Sequence, residues 1–197
     1  MSEPSKRPPD PLAIARSLQT GRLPPIDRWN PPNLLQVDMR IATDGTWYYQ
    51  GSPIGRKPMV RLFSSVLRRE DDGRFYLITP MDKLPIAVDD APFVAVELTC
   101  YGEGREQVLV FRTNVDDEVM AGPGHPIAVL QHPDTGAPRP YVLVRGRLQA
   151  LLARAVFYQL VDRGVEEEAP PHGPAFGVWS AGCFFRIGGL DEIRTDE

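Results

Sequence analysis

Twenty-one of the 197 residues are proline, about twice the usual share, and they gather where apolar runs end. Proline removes a backbone donor and fixes φ, so it terminates helices and keeps out of central strands. A chain punctuated in this way must fold from many short elements. Hydrophobic residues at 42% and charged residues at 24% are ordinary for a globular protein. The length suffices for one large domain or two small ones.

A net charge of -4 argues against a dedicated nucleic-acid binder, which would carry a basic domain. Cys100 and Cys183 form no metal or redox spacing and point to a reducing compartment. The N-terminus lacks the apolar core of a signal peptide, and no run approaches the ~20 apolar residues of a membrane span. The expected location is the cytoplasm. His125, His132 and His172 show no ligand spacing, and Ser180 lacks the glycine-flanked nucleophile elbow. Neither a catalytic set nor a cofactor or metal is expected.

Residues 1–9 read as a flexible tail. Asp10-Pro11 is an N-cap followed by proline, which predicts a short helix over Leu12–Gln19. Asp44-Gly45 is a favoured hairpin dipeptide between strands expected at Val37–Ala42 and Thr46–Gln50. Met59, Leu62, Phe63, Val66 and Leu67 recur at helical spacing, predicting an amphipathic helix that runs to Glu70. Further strands are expected at Phe75–Thr79, Ile86–Val88, Phe93–Tyr101, Gln107–Arg112, Ile127–Gln131 and Tyr141–Val144. A second long helix is predicted over Arg147–Arg163, with Leu148, Leu151, Leu152, Ala155, Val156 and Leu160 as its stripe and Gly164 as its cap. Glu166–Pro174 reads as an acidic loop before a last hairpin, Phe176–Ser180 with Cys183–Ile187.

The expected fold class is therefore α+β, with two structurally related halves, each an antiparallel sheet plus one long helix. The divisions are 1–23 (tail and short helix), 24–84 (first half), 85–190 (second half) and 191–197 (tail).

The stretch Gly51-Ser52-Pro53-Ile54-Gly55-Arg56-Lys57-Pro58 joins a strand of aromatics to the first helix. A helix N-terminus carries about half a positive charge and up to four unpaired N–H groups. Cations placed there are disfavoured unless an anion joins them, so Arg56 and Lys57 predict an anion-accepting site. The alternatives are that both side chains splay into water, or that Asp38 or Asp89 absorbs them. A Walker A loop is excluded, because only three residues separate the glycines, Arg56 interrupts Gly-Lys, and Pro58 replaces the hydroxyl. Gly45/Gly136, Gly55/Gly146 and Arg56/Arg147 coincide at an offset of 91, so Arg145-Gly146-Arg147 echoes the arrangement at the second helix. Arg40, Arg145 and Arg147 could assist an anion, and Trp47 or Tyr49 could stack a base. Core packing is the competing use of those aromatics.

Asp38-Met39-Arg40-Ile41, Asp44-Gly45-Thr46-Trp47, Gly51-Ser52-Pro53-Ile54 and Leu62-Phe63-Ser64 with Leu67-Arg68-Arg69-Glu70 resemble sequence blocks of an uncharacterised bacterial family, domain of unknown function 1285. Tyr76-Leu77-Ile78-Thr79-Pro80, Asp90-Ala91-Pro92-Phe93 and Gly177-Val178-Trp179-Ser180 do so too, and the resemblance runs from Pro24 to Leu190. It implies a duplicated α+β core whose second half is superficially like a pleckstrin-homology fold. It also implies a ligand cleft between the halves, a nucleotide-like ligand and a role in signalling.

The resulting expectation is a non-catalytic regulatory protein binding a phosphorylated or nucleotide-like small molecule between its halves, with a signalling protein as partner. The rival is a protein-interaction module without a small ligand, using the proline-rich N-terminal segment and Trp29 or Trp179. An enzyme acting on nucleotides is a third and weaker reading.

Overall fold

A computed structural model describes residues 24–168 and 173–188. The helix expected over Leu12–Gln19, the two tails and His172 lie outside those residues. The chain divides into two compact units, Met1–Asp90 and Ala91–Glu197, so the strand expected to open the second half belongs to the first unit.

In the first unit, strands β1 (Asn33–Leu34), β2 (Met39–Ile41), β3 (Trp47–Tyr49), β4 (Ser52–Pro53), β5 (Leu67–Arg69), β6 (Phe75–Ile78) and β7 (Asp82–Val88) make one sheet. Its order is β4-β3-β2-β7-β6-β5, with β1 also paired to β7. Helix α1 (Lys57–Ser65) lies in sequence between β4 and β5. The β2–β3 turn forms as its sequence predicts. The Thr46 N–H donates to Asp44 Oδ1 at 2.9 Å, and Gly45 supplies the positive φ of 81° that a side chain would resist. Met39, Ile41 and Trp47 alternate onto the buried face.

Helix α1 stops at Ser65, short of the expected Glu70. The Ser64 and Ser65 hydroxyls donate back to the Arg61 and Leu62 carbonyls at 2.8 and 2.7 Å, which competes with helix continuation. Leu67 then enters β5 opposite Leu77. Phe63, Val66 and Leu67 are all fully buried, so the apolar spacing correctly marked burial while overstating the helix. Phe63 stacks on Trp47 with ring centroids 6.1 Å apart. Truncating such an aromatic to alanine costs about 3–5 kcal/mol.

In the second unit, β8 (Phe93–Tyr101), β9 (Val108–Thr113), β10 (Glu118–Met120), β11 (Ile127–Gln131), β12 (Pro138–Arg145) and β13 (Leu148–Leu152) form a six-stranded sheet in the order β10-β9-β8-β13-β12-β11. Helix α2 (Arg154–Val161) follows, and β14 (Val165–Glu168), β15 (Pro174–Ser180) and β16 (Cys183–Gly188) make a three-stranded antiparallel sheet. Buried Ser180 ties this sheet to the larger one. Its hydroxyl donates to the Ala121 carbonyl at 2.8 Å and accepts the Leu109 N–H at 2.9 Å.

The second long helix is the largest correction. Leu148–Leu152 is a strand, with Leu148, Ala150 and Leu152 buried in alternation. The helix begins only at Arg154. Leu148 and Leu152 fit both a helical stripe and a period of two, so spacing alone left the element ambiguous. Strand β12 on one side and β8 on the other offer ladder partners to this segment, and Gly146 at φ 52° turns the chain into it. The first three residues of the expected acidic loop, Glu166–Glu168, likewise fall in β14, which pairs with β15; residues 169–172 lie outside the described residues.

The expectation of two halves, each an antiparallel sheet with one long helix, is thereby overturned. Among the described residues the two α-helices have nine and eight residues, strands dominate, and each large sheet contains a parallel pair, β2–β7 and β8–β13. The pleckstrin-homology-like description of the second half is not confirmed. Leaving β1 aside, the two large sheets share one strand order, third-second-first-sixth-fifth-fourth. Their helices differ in place, α1 following the third strand and α2 the sixth. The offset of 91 aligned β3 with β12, a second strand with a fifth, and so does not follow this topology.

Candidate functional site

The hairpin β3–β4 delivers the chain to the start of α1. Tyr49 pairs with Ser52, Tyr48 with Pro53, and the Ile54 N–H donates to the Trp47 carbonyl at 2.8 Å. Arg56 occupies the N-cap position in an extended conformation, without a side-chain cap, and the first turn holds no acidic residue. Of the four N–H groups a helix start usually leaves open, Pro58 has none and that of Met59 donates to the Arg56 carbonyl at 2.9 Å. The N–H groups of Arg56 and Lys57 remain beside their own two cationic side chains, both exposed. Neither side chain has an ion pair or hydrogen bond with another described residue.

The other cations named from the sequence are engaged inside their own units. Arg40, on β2, pairs with Asp89, its Nε donating to Oδ1 at 2.8 Å, and its guanidinium lies 5.9 Å from the Tyr48 ring centroid. That contact holds the Asp89 carboxyl below the usual carboxylate range and raises Arg40. Arg145, on β12, pairs with Asp117 and lies over the Phe93 ring at 4.9 Å. Arg147 is exposed beside Gly146 in the β12–β13 turn and not at a helix start, so the echo of the Arg56 arrangement is absent. Trp47 is only 1% exposed and packs on Phe63, which leaves half-buried Tyr49 as the aromatic available to a ligand. Trp179 is also committed. Its Nε1 donates to Glu167 Oε1 at 3.1 Å, Arg105 lies over its ring at 5.0 Å, and Phe184 packs against it at 5.4 Å.

Two polar clusters escaped sequence reasoning. Glu70 accepts from Lys83 Nζ at 2.6 Å and from Arg68 Nε at 3.1 Å, and Lys83 lies 4.0 Å from the Tyr76 ring centroid. These cations hold the Glu70 carboxyl below its ordinary value, Lys83 contributing most. Arg68 Nη1 also donates to the carbonyls of Ile26 and Trp29, at 2.6 and 2.9 Å. It fastens the proline-rich entry segment to β5. The second cluster joins Arg105 to Glu167 and Trp179. Its partners come from distant parts of the sequence, so no local pattern announces them.

Among the described residues no group of three or more His, Cys, Asp or Glu is placed to hold a metal ion, and no helix is long and apolar enough to cross a membrane. The family model "Domain of unknown function (DUF1285), N-terminal domain" matches residues 24–91. The model "Protein of unknown function (DUF1285), C-terminal domain" matches residues 92–187. No curated protein matches the chain. Among solved structures, a DUF1285 family protein from Silicibacter pomeroyi DSS-3 is 50% identical, with 95% of this chain and 99% of that one covered and a TM-score of 0.87. A second, from Shewanella baltica OS155, is 25% identical over 64% of this chain and 92% of that one, with a TM-score of 0.51. The chain belongs to the DUF1285 family, across both of its domains.

Proposed function

We propose that this protein is a non-catalytic regulatory module that takes a phosphorylated or nucleotide-like small molecule at the start of α1 and passes its occupancy to a signalling partner. Arg56 and Lys57 grip the anion and Tyr49 offers a stacking face. One observation carries the reading. Arg40 and Arg145 have carboxylate partners, whereas Arg56 and Lys57 stand without one among the described residues, at a helix start whose N–H groups also favour an anion. Two adjacent cations against one helix dipole repel each other and the dipole, and a bound phosphate removes both penalties at once.

The test is a thermal-shift screen of nucleotides and phosphorylated metabolites against the native chain and the Arg56→Ala/Lys57→Ala double variant. A ligand present at 100 times its Kd stabilises by about 2.7 kcal/mol, or about 5–10 °C for a chain of this size. The native protein is expected to show that shift for at least one compound and the double variant to lose it. Both side chains are exposed and their repulsion is relieved in the variant, so the unliganded Tm should be the same or slightly higher. A screen with no shift, or a shift that survives the double change, would sink the assignment.

A further inference from the structure

The second unit contains a groove of about 990 Å³ between β11, β16 and α2, at the upper end of the range for small-molecule sites. Ile127 and Val129 line one wall, Ile187 the other, and the half-buried rings of Phe157 and Phe176 add to the apolar lining. Glycines let two of the lining aromatics pack close. A Cβ on Gly164 would lie 2.0 Å from Phe176 Cζ, and one on Gly177 would lie 2.5 Å from Phe184 Cζ. These rings rest against the backbone at the two glycines.

The charge of the lining narrows the occupant. Among the described residues that line it, Arg186 is the only ionisable one, in a chain with 26 acidic and 22 basic residues. Its Nε donates to the Gly188 carbonyl at 3.3 Å, and it has no carboxylate partner among the described residues. Among the described residues β11 pairs only with β12, and β16 only with β15, so each is an edge strand whose backbone N–H groups can add donors. An apolar floor with one unmatched guanidinium is complementary to one class of molecule, a long apolar body ending in a single negative charge.

We propose that this groove binds a carboxylate-headed acyl chain, the chain lying over Ile127, Val129, Phe157 and Phe176 and the carboxylate meeting Arg186. This is a second site, in the other unit from α1 and with different ligand chemistry. Sodium decanoate, kept below its micelle concentration, is the probe, with decyltrimethylammonium as the charge-reversed control. Calorimetric titration is expected to show one saturable site that prefers decanoate. Amide chemical-shift changes are expected to concentrate in residues 127–131 and 184–188. Arg186→Gln should weaken decanoate about fivefold, the upper end for an exposed charge pair. Arg186→Lys should restore most of it, and Arg56→Ala/Lys57→Ala should leave it unchanged. Arg186 is exposed, so these variants fold. The proposal is overturned by the absence of saturable binding, by equal affinity for the cationic amphiphile, by indifference to Arg186→Gln, or by shifts that map elsewhere.

Discussion

Substituting Gly177 by alanine inserts one methyl group where the second unit has no room. The added Cβ would sit 2.4 Å from the Phe185 carbonyl oxygen and 2.5 Å from the Phe184 ring, when an ordinary contact needs about an ångström more. The ring could swing away, but the carbonyl is part of the β15–β16 ladder, where Gly177 opposes Arg186 and Val178 opposes Phe185. The backbone itself must give. Overpacking a tight site costs about 1–3 kcal/mol, and a backbone obstacle puts this case at about 2–3. At ~2–4 °C per kcal/mol for a chain of this length, calorimetry should record a Tm lowered by about 4–12 °C. Gly124→Ala is the matched control. Its Cβ would meet nothing within 4 Å and its φ is not positive, so it should stay within about 0.5 kcal/mol of the native chain. Equal Tm values for the two variants would refute the steric argument.

Arg68→Ala removes the donors that hold the Ile26 and Trp29 carbonyls and should cost about 1.5–3 kcal/mol. Arg68→Lys should recover little, because one ammonium cannot serve two carbonyls and Glu70 in a planar fork; urea titration followed by Trp29 fluorescence reads both. The folded pKa of Glu70 lies below its ordinary 4.5, so its carboxylate stabilises the fold above that pH and loses this effect as acid protonates it. The Tm gap between the native chain and Glu70→Gln, clear at pH 7, should narrow as the pH falls below 4.5; a gap independent of pH would contradict the ion-pair account. Trp179→Phe keeps an aromatic ring but deletes the Nε1 donor to Glu167 and part of the indole that packs on Arg105 and Phe184, and should cost at least about 0.5–1.5 kcal/mol, measured by denaturant unfolding.

Local chemistry made the β2–β3 hairpin, the start of α1 and the paired strands β8–β9 readable from the residues themselves. Asp44-Gly45 has one favoured backbone solution, and Gly55-Arg56-Lys57-Pro58 is a helix entrance whatever surrounds it. What failed was arbitration between periods. The buried residues Leu148 and Leu152 satisfy a helix and a strand alike, and only the ladders offered by β12 and β8 decide the matter. Leu67 raised the same ambiguity at the end of α1. Within the candidate site the cationic pair was legible, but the quenching of Arg40 by Asp89 and of Arg145 by Asp117 was not. Those carboxylates arrive on other strands, and no spacing rule connects them to their arginines. Trp47 shows the same limit, since an aromatic on a hairpin can face a ligand or the core, and the packing of Phe63 against it selects the core.

The shared strand order bears on how each unit is made. In both large sheets the first strand of the six lies beside the last, so Arg40 must find Ala87 and Phe93 must find Ala150. Between these partners lie two runs of consecutive antiparallel strands, β2–β4 and β5–β7 in the first unit (joined through α1) and β8–β10 and β11–β13 in the second, and such hairpins can form quickly on their own. The parallel pair is the long-range closure, and non-local contacts of this kind set slow folding rates. On the ribosome, the first sheet therefore has to wait with two unzipped edges until β7 emerges, and the second until β13 does. Chain release and exposure of sticky strand edges are coupled twice in succession. A shortened chain ending between β4 and β7 would keep the β2–β3 and β3–β4 hairpins and lack the seam, which makes it a candidate for aggregation and not for partial function.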